Sequence, residues 1–334
     1  MGHNVADFSL IVDGTEYAGN IVPRLQSLSL TEKLEDGADE LEVILSNHDG
    51  QLAPIKRGVF ATLKLGWKDG PDVTAGLIDK GRFKIDQVVK EGPPDVLRIT
   101  GRSADLTGAM RRRRDKGWKG KTIGEIVTDV AQANGLEPRV HPDLAKIQLQ
   151  SVEQAAKSDI AFIRDLGRRY DAIATQKDGK LLFMPIGTDT TTGGKNIQRL
   201  TITRRGNGRF SFTAADREEH DGAEAQWHDR AGARKRTVKQ GKAANPRRIK
   251  RTFGSEQEAR AAAAAEAKRA ERGQYTFTHE MAFGDATIEP NRKVTLQGFD
   301  SEIDDIRWLI KQATHILDGN GGFTTSIEMD SLPK

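Results

Sequence analysis

A chain of 334 residues, 36% hydrophobic and 30% charged, can fold into two to four compact units and is too apolar for a disordered polypeptide. Absent cysteine excludes disulfides and thiolate chemistry and suits a reducing cytoplasm; no apolar run nears the roughly 20 residues that cross a bilayer, and the start Met1 to Asp7 resembles neither a signal peptide nor, with Ala6, a myristoylation site. The net charge of +4 is local: Arg230 to Arg251 carries +10 without an acid, Arg111 to Lys121 carries +6, and the remainder therefore carries −12.

The first hundred residues read as short strands. Phe8 to Val12, a turn at Asp13-Gly14 and a return through Thr15-Glu16-Tyr17 form a hairpin signature. Val59, Ala61, Leu63, Leu65 and Trp67 share one parity, as do Phe83, Ile85, Gln87 and Val89. That period of two predicts strands covering a core on one side. Gly92-Pro93-Pro94-Asp95 turns the chain into Val96 to Thr100, a spacing that fits an antiparallel barrel or sandwich.

After the run Arg111 to Arg114 the pattern becomes helical. Thr122 and Glu125 form a capping-box pair, Ile123, Ile126, Val127 and Val130 share a face, and Asn134-Gly135 closes the helix. A second helix is expected from Ser158, with Phe162, Ile163, Leu166 and Tyr170 at helical spacing. Ala172 to Thr175 then extends, and Asp178-Gly179 makes a hairpin to Leu181 through Met184. Gly187 to Lys195, rich in Thr and Gly, reads as a linker or exposed loop.

Ser255 and Glu258 repeat the capping pattern, and the Ala-rich run to Arg272 predicts a further helix. Strands follow at Tyr275 to Phe283, Val294 to Leu296, Arg307 to Leu317 and Phe323 to Met329. The expected fold is α+β, mainly β. Its expected units are an N-terminal β unit over 1–105, an α+β unit over 106–195, and a C-terminal β unit over 196–334 with an inserted helix at 255–272.

A search for chemistry returns mostly structural explanations. Gly117 to Thr122 brings Gly-Lys-Thr to a helix start, but two residues rather than four separate the first Gly from Gly-Lys, so no phosphate loop forms. His279-Glu280 opens like a zinc-protease motif, yet Phe283 stands where the second His belongs and the segment alternates as a strand. The acids of Asp300 to Asp305 sit between two strands without apolar surroundings to raise a carboxyl pKa, which suits a solvated turn rather than glycoside cleavage. No catalytic, cofactor or metal-binding residue is expected. The two basic patches suit phosphate contact, but no aromatic residue lies between Arg230 and Arg251 to stack on bases. That favours solvated loops, or charges facing acidic neighbours in an assembly, over direct DNA binding.

Gln154 through Phe162, continuing over Leu166 to Tyr170-Asp171-Ala172, resembles the phage late control D family, in which a Gln, then Ser-Asp, then Phe, Leu and an aromatic-Asp-Ala recur. Lys157 stands where that family has Glu, and Asn291 where it has Gly. Gly284-Asp285, Val294 to Gly298, Trp308, His315 and Gly322 to Thr325 resemble its closing strands. The resemblance spans nearly the whole chain and rests on the order of weak motifs.

It implies a baseplate hub of a contractile tail, similar to the base of type VI secretion spike proteins. Such a hub is a homotrimer, in which two tube-like antiparallel β-barrel domains per copy match a hexameric tail tube to a trimeric central spike. The implied partners are the spike and tail tube proteins, with the tape measure protein and other baseplate proteins as further candidates. No membrane or cofactor is implied, and DNA only passes through the channel. The implied location is the virion tail, after assembly in the host cytoplasm. Two alternatives stand beside it: a tail-associated peptidoglycan hydrolase, and a nucleic-acid-binding protein using residues 230–251.

Overall fold

Alternating sequence becomes sheet over most of the chain in the computed structural model, which describes residues 3–34, 37–52, 55–103, 108–205, 208–214, 220–229, 231–242, 244–319 and 322–333. The N-terminal part contributes β1 (Val5–Val12), β2 (Thr15–Glu16), β3 (Leu25–Lys33), β4 (Glu40–Ser46), β5 (Phe60–Asp69), β6 (Gly76–Glu91) and β7 (Val96–Arg102). Asp13 and Gly14 both take positive φ, at 51° and 82°, the turn geometry whose twist matches a tight hairpin. Every neighbouring pair in the order β3-β4-β7-β6-β5-β1-β2 is antiparallel. Leu28, Leu30, Leu41, Leu63, Leu65 and Phe83 fill the core beneath them.

One expectation for this region fails for a local reason. The pairing of β6 with β7 slips between Ile85 and Gln87, and a bulge of one residue moves every later side chain to the other face. Val88 therefore packs on the core, while Gln87, expected beside Phe83 and Ile85, is exposed. Close approach also fixes Gly66 in β5, where a Cβ would stand 1.8 Å from the Gly76 carbonyl oxygen. Gly66→Ala is expected to lower stability by roughly 1–3 kcal/mol through overpacking, measured by chemical denaturation.

The middle part holds β8 (Arg113–Thr122), α1 (Ile123–Ala133), β9 (Glu137–Val140), β10 (Gln148–Ser158), α2 (Asp159–Arg169), β11 (Ala172–Lys177) and β12 (Lys180–Pro185). β8 pairs with β10, and β11-β12-β9 form a second small sheet. Both halves of the Thr122 and Glu125 capping box are made, and Ser158 caps α2. Trp118 stacks on Phe162 at 4.7 Å with the planes 8° apart, so the tryptophan of the basic run belongs to the core of this part. Gly187 to Lys195, read as a linker, makes a bridge between Thr190 and Asn196.

The last part contributes β13 (Leu200–Thr203), β14 (Phe210–Ala214), β15 (Gly222–Asp229), β16 (Arg234–Gly241), β17 (Pro246–Phe253), α3 (Glu256–Glu271), β18 (Tyr275–Met281), β19 (Lys293–Gln297), β20 (Trp308–Asp318) and β21 (Phe323–Ser331). The basic segment is therefore not loop: β16 and β17 flank β15, and α3 covers one face of that sheet. Ala259, Ala262, Ala263 and Ala267 meet Ala223, Ala225 and Phe253, small side chains that let helix and sheet approach closely. Charge alone hid the strands, because their inward parity is carried by alanines and single apolar residues.

Antiparallel pairing of β20 with β3, from Gln312 opposite Lys33 to Asp318 opposite Ser27, joins the first and last parts into one 13-stranded sheet. The cores merge as well, with Phe323, Leu317 and Ala286 packed among N-terminal residues. Leu34, Ile173, Ile186 and Leu309 tie the middle part to the same junction.

Candidate interaction surfaces

Where β3 meets β20, the inward parity of both strands carries charge. Glu32 follows Leu28 and Leu30 into the interior and is 2% exposed; His315 follows Ala313 and is 0% exposed. Lys80, 5% exposed, reaches Glu32 at 2.5 Å and donates to the carbonyl oxygens of Ala286 at 3.0 Å and Ile288 at 3.3 Å. Lys177 of β11 lies 3.5 Å from Glu32 and 2.8 Å from Asp39. Buried charges persist only when paired, and here two carboxylates meet two ammonium groups.

Burial alone would raise the Glu32 pKa, but the His315 hydrogen bond and the charges of Lys80 and Lys177 outweigh it and hold the carboxyl at about 2. Burial pushes His315 below its ordinary value despite its bond to Glu32, so its imidazole is neutral at pH 7. Nδ1 then accepts from Thr325 Oγ1 at 2.9 Å, and Nε2 donates to the Ile288 carbonyl at 3.2 Å. Thr325 Oγ1 in turn accepts from the Asp285 amide. Glutamate, histidine and lysine together resemble a catalytic set, but every one of these groups is consumed in joining the first, middle and last parts.

The motifs raised by sequence are also structural. Lys121 bonds Asp129 at 3.1 Å. His279, buried in β18, meets the Arg209 carbonyl oxygen at 3.1 Å and is kept below its ordinary pKa by burial. Asp300 caps the short helix Ser301–Asp304, and Asp304 accepts from the amides of Gly298 and Phe299. Among the described residues, no three His, Asp or Glu side chains are grouped to hold a metal ion. The Gln154 and Ser158-Asp159 motif builds the turn into α2: Asp159 accepts from Gln154 Nε2 at 2.8 Å and from Asn134 Nδ2 at 2.8 Å, with Arg114 3.4 Å away. Glu258, expected to complete a capping box, turns instead to the Gln150 amide at 2.8 Å, and so fastens α3 to β10. The Ser255 half of that box is made.

Among the described residues, two exposed surfaces stand out. Opposite α3, the sheet of β15 to β17 presents Lys235, Lys239, Arg248 and Lys250. Arg236, Arg247 and Arg248 have carboxylate neighbours in Asp229, Glu266 and Glu224, while Arg230 lies outside the described residues. The second surface is a groove of about 830 Å³ bounded by Trp67 and Ile78 of the β5–β6 hairpin, Ile202 of β13, and Met281, Phe283 and Ile288. Ile78 and Phe283 are exposed there. Sequence gave no warning of this groove, since its walls come from segments far apart in the chain.

Comparison with known proteins places this architecture. A model of the phage tail baseplate hub (GPD) family matches residues 31–321. The "Probable baseplate hub protein" of Escherichia phage P2 is 33% identical over 364 residues, covering 97% of this chain and 92% of the relative. Among solved structures, the 43 kDa tail protein of prophage MuSo2 from Shewanella oneidensis has a TM-score of 0.65 at 15% identity, with 98% of each chain covered. The E. coli c3393 protein, a component of the type VI secretion system, has a TM-score of 0.50 at 13% identity over 93% of this chain and 74% of its own. These two structures share the fold.

Proposed function

This chain belongs to the phage tail baseplate hub family, and from that premise we propose that it works as a trimeric, non-enzymatic adaptor between a six-fold tail tube and a three-fold central spike. The baseplate role places it in the virion tail; host cytoplasmic assembly belongs to the proposal. The observation that carries the reading is the β3 and β20 pairing. It sets two β units side by side in one sheet, so three copies would offer six such units, a number that meets both symmetries. In this reading residues 1–105 and 196–334 supply the paired units, and 106–195 forms the unit between them.

The proposed partners are two further copies, the spike protein and the tube protein, with the tape measure protein and other baseplate proteins as further candidates. The apolar groove walled by Ile78 and Phe283 supports protein contact, because grouped exposed apolar side chains mark such surfaces. The cationic face of β15 to β17 belongs outside the ring in this reading, since fixed cations along the bore would hold the passing DNA. A structure of the assembled ring with Arg247 to Arg251 or Arg111 to Arg114 lining its bore would overturn that placement.

Light scattering of the purified chain with and without its spike protein tests the adaptor itself. Three copies are expected per spike trimer, and trimerisation in the absence of spike depends on concentration. A chain that stays monomeric in the presence of spike would sink the reading.

A further inference from the structure

A second, smaller cavity of about 260 Å³ lies where several segments of the chain converge. Its lining includes Asp171 after α2, Arg199 before β13, Lys268 and Arg272 at the end of α3, Lys293 of β19 and Arg307 before β20. Five cations thus face one carboxylate. Some are engaged: Arg272 pairs with Asp171, Lys293 lies 2.7 Å from Asp189, and Arg307 donates to the Pro333 carbonyl. Arg199 and Lys268 make no side-chain hydrogen bond or ion pair among the described residues.

The deepest of these groups is the most telling. The Arg272 side chain is 10% exposed, and its Nε is buried without a hydrogen-bond partner, as is Oδ1 of its ion-pair partner Asp171. The excess of cationic donors over that one carboxylate costs free energy that a further acceptor in the cavity would recover. Lys268 and Arg272 also sit favourably at the negative end of the α3 dipole, which explains those two positions. It does not explain why Arg199, Lys293 and Arg307, from other parts of the chain, converge on the same space.

We propose that this cavity binds a free oxyanion of the phosphate class, held by Arg272 at its base and by Arg199 and Lys268 at its rim. Bound there, the anion fastens α3 and the middle part of the chain to β19 and the start of β20, so it acts as an ionic clamp across the protein. The assignment is independent of the adaptor reading.

Thermal unfolding of the full chain in inorganic phosphate, against sodium chloride at equal ionic strength, tests it. The midpoint is expected to rise by roughly 2–4 °C at saturating phosphate. Because Arg199 and Lys268 have no partners to lose, R199Q/K268Q is expected to stay folded in chloride with only the small loss that Lys268 brings at the end of α3, and to show no phosphate-specific rise. Broadening of the phosphate ³¹P resonance by the parent, lost with the variant, reads binding directly and does not depend on the variant's stability. Equal parent midpoints in the two salts, or undiminished broadening with the double variant, would overturn the proposal. A rise produced by glutarate but not by phosphate would also overturn it, by showing a carboxylate site.

Discussion

Glu32→Gln is expected to destabilise the chain by about 3–5 kcal/mol, because removing one partner of a buried ion pair leaves the other charge uncompensated. Lys80 would keep the carbonyl oxygens of Ala286 and Ile288 but lose the carboxylate at 2.5 Å. Lys80→Met is expected to cost less, since Glu32 keeps His315 and the Lys177 ammonium beside it. The double variant E32Q/K80M no longer contains an abandoned partner of that pair, so its loss is expected to fall short of the summed single losses by roughly 0.5–3 kcal/mol. Urea unfolding of the four proteins closes the cycle, and strictly additive losses would show that the pair is not coupled.

The same cluster sets an acid limb. Glu32 titrates at about 2 when folded against an ordinary value of 4.5, so the unfolded chain takes up its proton first as pH falls. Its contribution is complete above about 4.5, declines as pH drops toward 2, and is absent below that. His315 is depressed below its ordinary 6.5 and works in the same direction, its contribution falling as pH drops below 6.5. Glu32 also raises the His315 pKa, so the difference between parent and Glu32→Gln carries a histidine part near and below pH 6.5, and it is expected to narrow from about 4.5 toward 2 as Glu32 is protonated. A difference that failed to narrow below 4.5 would contradict the assigned charge of Glu32.

Local rules carried well where neighbours in sequence are neighbours in space. The Asp13-Gly14 and Asp178-Gly179 hairpins, the Thr122 capping box and the helices at Ser158 and Ser255 were all legible, because each depends on residues within a few positions. The β6 bulge escaped because alternation assumes an unbroken register. The β16 and β17 strands escaped because ten cations outweighed a faint apolar parity at Val238 and Ile249. Glu32 and His315 did leave a trace, as polar residues on the buried parity of apolar strands, but nothing in either strand named the other as its neighbour. The pairing of β3 with β20, the apolar groove and the cationic cavity all depend on contacts between segments more than a hundred residues apart, where one sequence holds no distance information.

Trp67 shows how such a long-range contact connects fold to assembly. It ends the buried parity of β5, yet its ring meets Phe323 at 5.3 Å and Phe283 at 6.4 Å, and its Nε1 donates to the Gly284 carbonyl at 2.8 Å. Gly284 is held to glycine by the same packing, since a Cβ there would lie 2.7 Å from the Phe323 ring. Trp67→Ala is expected to cost about 3–5 kcal/mol as a large-to-small change in a packed core. Trp67→Phe keeps a ring but strands the Gly284 carbonyl, for a smaller loss of about 1–3 kcal/mol. If Trp67 couples the two β parts, amide exchange in Trp67→Ala will quicken in β20 and β21 as well as in β5 and β6. Quickening confined to β5 and β6 would mean that the β3 and β20 ladder holds the halves together without it. Because Trp67 and Phe283 also wall the apolar groove, the alanine variant is expected to lose spike-dependent assembly in light scattering at temperatures where it remains folded, and full assembly there would remove the groove from the partner surface.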